Sequence, residues 1–139
     1  MSGRYKNLEE IYASPTRRIL RGTDCETGRN VVLKTGGQDC MAPEATERLR
    51  REFRLMQLVD SPHVVKAVGE IVLDGRYCLV EEHCPGTTLS RLLKQGPLGM
   101  REFFLIAQQV VAGLCDLLAK TVALSLLGTA RSGIEALGD

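Results

Sequence analysis

Tryptophan is missing from this sequence, and three tyrosines and three phenylalanines bring the aromatic share to only 4%. Base-stacking platforms need aromatic faces, so a nucleic-acid binder is not expected. An excess of either charge is also missing. Eighteen Lys and Arg face seventeen Asp and Glu, a net charge of +1, which provides no field to steer the chain to nucleic acid or an acidic membrane. The five cysteines (25, 40, 78, 84 and 115) are odd in number and form no C-x-x-C pair, against a secreted disulfide frame or a zinc ribbon. The N-terminal Met-Ser-Gly-Arg-Tyr-Lys-Asn has no apolar h-region. The longest charge-free run, Phe103 to Cys115, is shorter than the ~20 apolar residues of a membrane span, and Asp116 and Lys120 interrupt the apolar stretch beyond it. A soluble cytoplasmic protein is expected, with neither membrane nor nucleic acid as partner.

What is present suffices for one ordinary domain. The 139 residues are 44% hydrophobic and 25% charged, a mixture that folds. The first 83 residues read as strands around one helix, and the rest as helices. Asn7–Ala13 and Arg18–Gly22 are expected strands, separated by the turn residues Ser14-Pro15-Thr16. Val31-Val32-Leu33 is a short β-branched strand ending at Lys34. Pro43-Glu44 opens a helix that runs to about Val59, where Asp60-Ser61-Pro62 stops it. Val64–Leu73 and Arg76–His83 are expected strands joined by Asp74-Gly75, a strong hairpin signal. Pro85-Gly86 marks a linker and Leu89–Lys94 a short helix. Met100 to about Leu118 is a longer one, with Phe103, Ile106, Val110, Leu114 and Leu117 on one face.

Two polar residues stand out against this pattern. At 100° per residue, Leu49, Phe53, Leu55, Met56 and Val59 form one apolar stripe, and Glu52 falls inside it. A carboxylate there wants a cation, either Arg48 one turn earlier or one from elsewhere in the fold. Lys34 shares its strand face with Val32 and either snorkels to water or reaches inward to an anion or a buried acid. The arginines at 48, 50, 51 and 54 alternate with Glu44, Glu47 and Glu52, the pattern of a solvated, salt-bridged helix face.

A strand lysine, a helix carrying a glutamate, a strand hairpin and a Pro-Gly linker, in that order, resemble the N-terminal lobe of the eukaryotic-type serine/threonine protein kinase family. Val31-Val32-Leu33-Lys34 resembles its V-A-I-K strand. Ser61-Pro62-His63-Val64-Val65, with its proline ten residues after Glu52, resembles its H-P-N-I-V segment. Cys78 to Leu89 resembles the last lobe strand and hinge, and Phe103–Leu118 the first long helix of the C-terminal lobe. The resemblance implies an α+β fold: a small antiparallel sheet on one helix, then a hinge and C-terminal helices. It divides the chain into a lobe over 5–84, a hinge and first helices over 85–118, and a divergent tail over 119–139. If the chain is instead a non-catalytic interaction module, Thr121–Leu137 would cover the surface that normally meets the other lobe, as a replacement helix, or make a dimer contact.

The resemblance also implies a binding site for ATP. Lys34 would hold the α- and β-phosphates and Glu52 would fix Lys34 through an ion pair. Val32 and Ile19 would roof the adenine. The Glu82 carbonyl and Cys84 amide would bond its edge, Glu81 would sit at the gatekeeper position, and Met56 would belong to the stack linking the lobes. The glycine-rich loop departs from the family, since Tyr12, Ser14 and Arg17 stand where glycines are expected; Arg17 or Arg18 would supply charge instead. The catalytic H-R-D-x-x-x-x-N and metal-binding D-F-G motifs are absent. No catalytic residue and no magnesium ligand is therefore assigned, and the chain reads as a kinase-like domain truncated before its catalytic loop. Magnesium is expected only for the full family domain. ATP and a protein partner or C-terminal lobe are the expected partners. The alternative is a non-catalytic interaction or regulatory module.

Overall fold

The computed structural model describes residues 3–37 and 43–135, with side chains through residue 123. Its core is a five-stranded antiparallel sheet of β1 (Tyr5–Ala13), β2 (Arg17–Asp24), β3 (Asn30–Gly36), β4 (Ala67–Leu73) and β5 (Arg76–Glu82), in the order β1-β2-β3-β5-β4. Helix α1 (Pro43–Leu58) packs on β3, β4 and β5. Helices α2 (Leu89–Leu93) and α3 (Met100–Glu135) come after the sheet. The described residues form two compact units: the sheet with α1, and a second unit of Ser61–Val64 together with the chain from Thr87 onward.

Local chemistry accounts for the sheet. Asp74 and Gly75 both take positive φ, 50° and 75°, as the two-residue hairpin between β4 and β5 demands. Between β2 and β3, Gly28 takes φ 69°, and the Asp24 carboxylate accepts the Glu26 amide at 3.0 Å, an Asx turn. Antiparallel register places Leu33 opposite both Leu20 and Val80, and these form the buried core with Val31 and Tyr5. The other face carries Val32 and Lys34 and receives α1. Ala45, Leu49, Glu52, Phe53 and Met56 are half-buried on the inner side of that helix, so Glu52 does lie within the packed stripe, whereas Leu55 is exposed. On the outer side Arg54 pairs with Glu47 at 2.6 Å, both exposed.

Three expectations are corrected. The strand expected from Val64 begins at Ala67, because Ser61–Val64 forms a turn belonging to the second unit and ladder pairing with β5 starts only at Ala67. The long helix expected to end near Leu118 continues to Glu135; no proline follows Pro97, and alanine and leucine favour helix. Its packed side is also rotated from the expected stripe. Ile106 and Leu117 are half-buried and Gly113 is buried, but Phe103, Val110 and Leu114 are exposed. The reason is a close backbone approach: a Cβ on Gly113 would stand 3.2 Å from the His63 carbonyl oxygen. Buried Ser61 completes that contact, donating to Asp116 at 2.5 Å and accepting the His63 amide at 3.1 Å.

Candidate functional site

Register brings the site together. Val32 pairs with Glu81, and Lys34 pairs with Leu79 on β5 and Ile19 on β2. Directly opposed residues in an antiparallel pair share a face, so Ile19, Val32, Lys34 and Glu81 lie on one side of the sheet. That side meets α1, and Lys34 crosses the gap. Its Nζ donates to Glu52 Oε1 at 3.0 Å. The cation wanted by Glu52 is thus supplied by β3 and lies 18 positions away in sequence. Lys34 Nζ also stands 2.7 Å from Glu81 Oε1.

The two acids differ in surroundings. The Glu52 side chain is 38% exposed, that of Lys34 24% and that of Glu81 only 6%. Burial pulls the Lys34 ammonium down in pKa, but the Glu81 and Glu52 carboxylates outweigh it, and its pKa ends above the usual lysine value. Burial pushes the Glu81 carboxyl up, and with the like charge of Glu52 this outweighs the opposing pull of Lys34 and Arg17. Although the ammonium is close, Glu81 Oε1 receives no well-formed hydrogen bond among the described residues. The contact is a close ion pair.

Glu82 ends β5, and its side chain turns to the other face, where Oε1 accepts the Lys66 amide at 2.9 Å. Cys84 lies two residues further on, exposed and with a free thiol. Whatever these two positions offer to the inner face comes from their backbone. The β1–β2 turn is closed on itself. Ser14 and Arg17 exchange backbone hydrogen bonds at 2.8 and 3.4 Å, and Ser14 Oγ accepts the Arg17 amide at 3.1 Å. The turn lies on Gly37, where a Cβ would collide with the Pro15 carbonyl. Beneath it a cavity of about 170 Å³ is lined by Thr16, Arg17, Arg48, Leu49 and Glu52 among others. A larger cleft of about 590 Å³ is lined by residues that include Asn30, Val31, Lys66, Glu82 and His83, and Lys34 is not among them. Cavity size therefore does not locate the charged cluster.

Two ionic features were not legible in the sequence. The Lys34–Glu81 contact depends on the β3–β5 register, for which sequence gives no direct signal. Asp24, beyond the expected Arg18–Gly22 strand, is buried at the end of β2 and bonded by Arg4 at 3.2 and 3.4 Å, which holds its carboxyl below the usual range.

The chain belongs to the protein tyrosine and serine/threonine kinase family, whose pattern matches residues 10–123. It is 30% identical over 115 residues, 82% of its length, to the serine/threonine-protein kinase pkn2 of Myxococcus xanthus. It is 30% identical over 83 residues, 59% of its length, to the CBL-interacting protein kinase 25 of Oryza sativa subsp. japonica. It is 27% identical over 108 residues, 76% of its length, to the ankyrin repeat-containing protein kinase A of Dictyostelium discoideum. The matched stretch spans 14%, 16% and 7% of those relatives.

Proposed function

We propose that this chain carries the nucleotide-binding half of a serine/threonine-type protein kinase domain, whose complete form transfers the γ-phosphoryl of ATP to a protein hydroxyl. The observation that carries the reading is the 3.0 Å ion pair between Lys34 on β3 and Glu52 on α1. An ammonium held over the face of a sheet by a helix carboxylate is suited to orient a polyphosphate as a point charge. The serine/threonine preference comes from the relative in Myxococcus xanthus.

The residues fit ATP in part. Lys34 would hold the α- and β-phosphates, positioned by Glu52. Ile19 and Val32, half-buried on the same face, would cover the adenine. The Glu82 carbonyl and Cys84 amide would bond its edge. The β1–β2 turn fits less well, because its Ser14 and Arg17 amides are spent within the turn. Bound ATP would supply the transferable phosphoryl group. No residue is assigned to magnesium or to proton abstraction, since the sequence contains neither H-R-D nor D-F-G. Positioning and charge stabilisation carry phosphoryl transfer, so the 139 residues alone would bind nucleotide without transferring phosphate. A cytoplasmic setting is part of the same proposal.

A thermal-shift titration with ADP tests it. Stabilisation of the wild type that disappears in Lys34→Met is expected; equal shifts for both proteins would place the nucleotide elsewhere.

A second reading, a non-catalytic interaction module, is favoured by α3. Phe103, Phe104, Val110, Val111, Leu114, Leu118 and Val122 are all about half exposed or more. Met100–Ala123 has mean hydropathy 1.5 and, by length and composition only, could cross a membrane. Concentration-dependent dimerisation without any nucleotide effect would select this reading.

A further inference from the structure

Lys34 serves two carboxylates, and the cluster of Lys34, Glu52 and Glu81 carries a net charge of −1 when all three are ionised. The acids are not equivalent. Glu52 is partly open to water, which screens it, and it accepts a well-formed hydrogen bond. Glu81 is closer and almost wholly buried, so its field on the ammonium is the less screened of the two. Yet Glu81 Oε1 receives no hydrogen bond among the described residues, and its burial is only partly compensated. An ammonium offers three donors, and the one aimed at Glu52 leaves others to be claimed. Glu81 thus claims by charge what it does not secure by geometry. A negatively charged ligand must displace this contact to engage the ammonium fully.

Resting on the nucleotide-binding reading above, we propose that Glu81 is an internal competitor for the Lys34 ammonium: its buried carboxylate stands in for an anionic ligand and weakens polyphosphate binding at Lys34. Glu52 remains the residue that positions the lysine. The two acids therefore have opposite consequences for binding. Loss of Glu52 releases the lysine from its orientation, whereas loss of the Glu81 charge frees it for phosphate. The raised pKa of Glu81 accords with a carboxylate whose surroundings do not fully support its charge.

Titration calorimetry of the full 139-residue chain with ADP and with inorganic tripolyphosphate separates the possibilities. The proteins are the wild type, Glu81→Gln, and Glu26→Gln as a control for net charge at an exposed site. Glu81→Gln is expected to tighten both ligands about tenfold, the effect of one uncompensated like charge a few ångströms from the phosphates in a partly screened site. Glu26→Gln is expected to change neither. If Glu81→Gln does not fold, Glu81→Leu, similar in size and uncharged, takes its place. Wild-type binding of ADP with unchanged or weaker binding by the Glu81 variant overturns the competitor and leaves the nucleotide reading standing. Tightening for ADP but not for tripolyphosphate also overturns it, since Glu81 would then act on the base. Failure of every variant to bind either ligand overturns both readings together.

Discussion

Glu81 Oε1 lies 2.7 Å from Lys34 Nζ, nearer than the Glu52 oxygen at 3.0 Å, although Glu52 makes the better-formed hydrogen bond. One lysine thus joins two strands and a helix through two carboxylates. The joint is asymmetric, and the energetic consequences of breaking it differ by residue.

Replacing Lys34 by methionine strands the buried Glu81 charge, whereas replacing Glu81 by glutamine leaves Lys34 its Glu52 partner. Removing one member of a buried pair costs several kcal/mol, while an exposed pair is worth under ~1. Lys34→Met is expected to lose about 3 kcal/mol of unfolding free energy at pH 8 in urea denaturation, and Glu81→Gln less than about 1. Equal losses would mean that Glu81 is held by something other than Lys34.

The burial of Glu81 sets a pH dependence. The folded-state pKa of Glu81 is raised, so its contribution is fully present below its unfolded value and is lost as pH rises through the folded one. Asp24 runs the other way. Its pKa is lowered by the Arg4 hydrogen bonds, so its contribution is present above the unfolded value and is lost as pH falls through the folded one. Stability measured from about pH 3 to 8 should fall towards the acid end less steeply in Asp24→Asn than in the wild type. Relative to the wild type, Glu81→Gln should gain as pH rises through the raised Glu81 value. Parallel curves for all three proteins would contradict both assignments.

Ser61→Ala tests the second unit. It removes the donor to Asp116 and the acceptor for the His63 amide at a buried position. An unsatisfied buried group costs about 1–3 kcal/mol, and a loss in that range is expected in thermal or urea unfolding followed by far-UV dichroism. Unchanged stability would show that water replaces the hydroxyl.

Gly37 and Gly28 separate close approach from backbone conformation. At Gly37 an added methyl meets the Pro15 carbonyl, so Gly37→Ala must push the β1–β2 turn away and should cost about 1–3 kcal/mol. At Gly28 the space is open and only φ 69° opposes a side chain, so Gly28→Ala should cost about 1 kcal/mol. The larger loss at Gly28 would be the contrary result.

Much of this architecture was legible because the local chemistry was strong. The Asp74-Gly75 hairpin, the proline at the start of α1 and the Asp60-Ser61-Pro62 stop each act through a few neighbouring residues. Glu52 announced itself as a carboxylate within an apolar stripe, but its partner lies on a strand 18 positions earlier, which helical periodicity cannot reveal. Parity along β5 shows that Glu81 and Leu79 share a face, not that Val32 is the residue opposite. The packed side of α3 departs from the expected stripe for a related reason. A hydrophobic count favours Phe103 and Leu114, whereas packing selected the side where Gly113 lets the backbone come close. Long-range register and close approach are tertiary choices, and they separate the expected from the observed site.

The most direct test is a set of ¹⁵N–¹H spectra of the labelled chain titrated with ADP. Amide shifts centred on Ile19, Val32, Lys34 and Cys84, absent in Lys34→Met, are expected if the Lys34–Glu52 pair holds a nucleotide. Shifts confined to α3, or no shift at millimolar ADP, would contradict a nucleotide site on this face of the sheet.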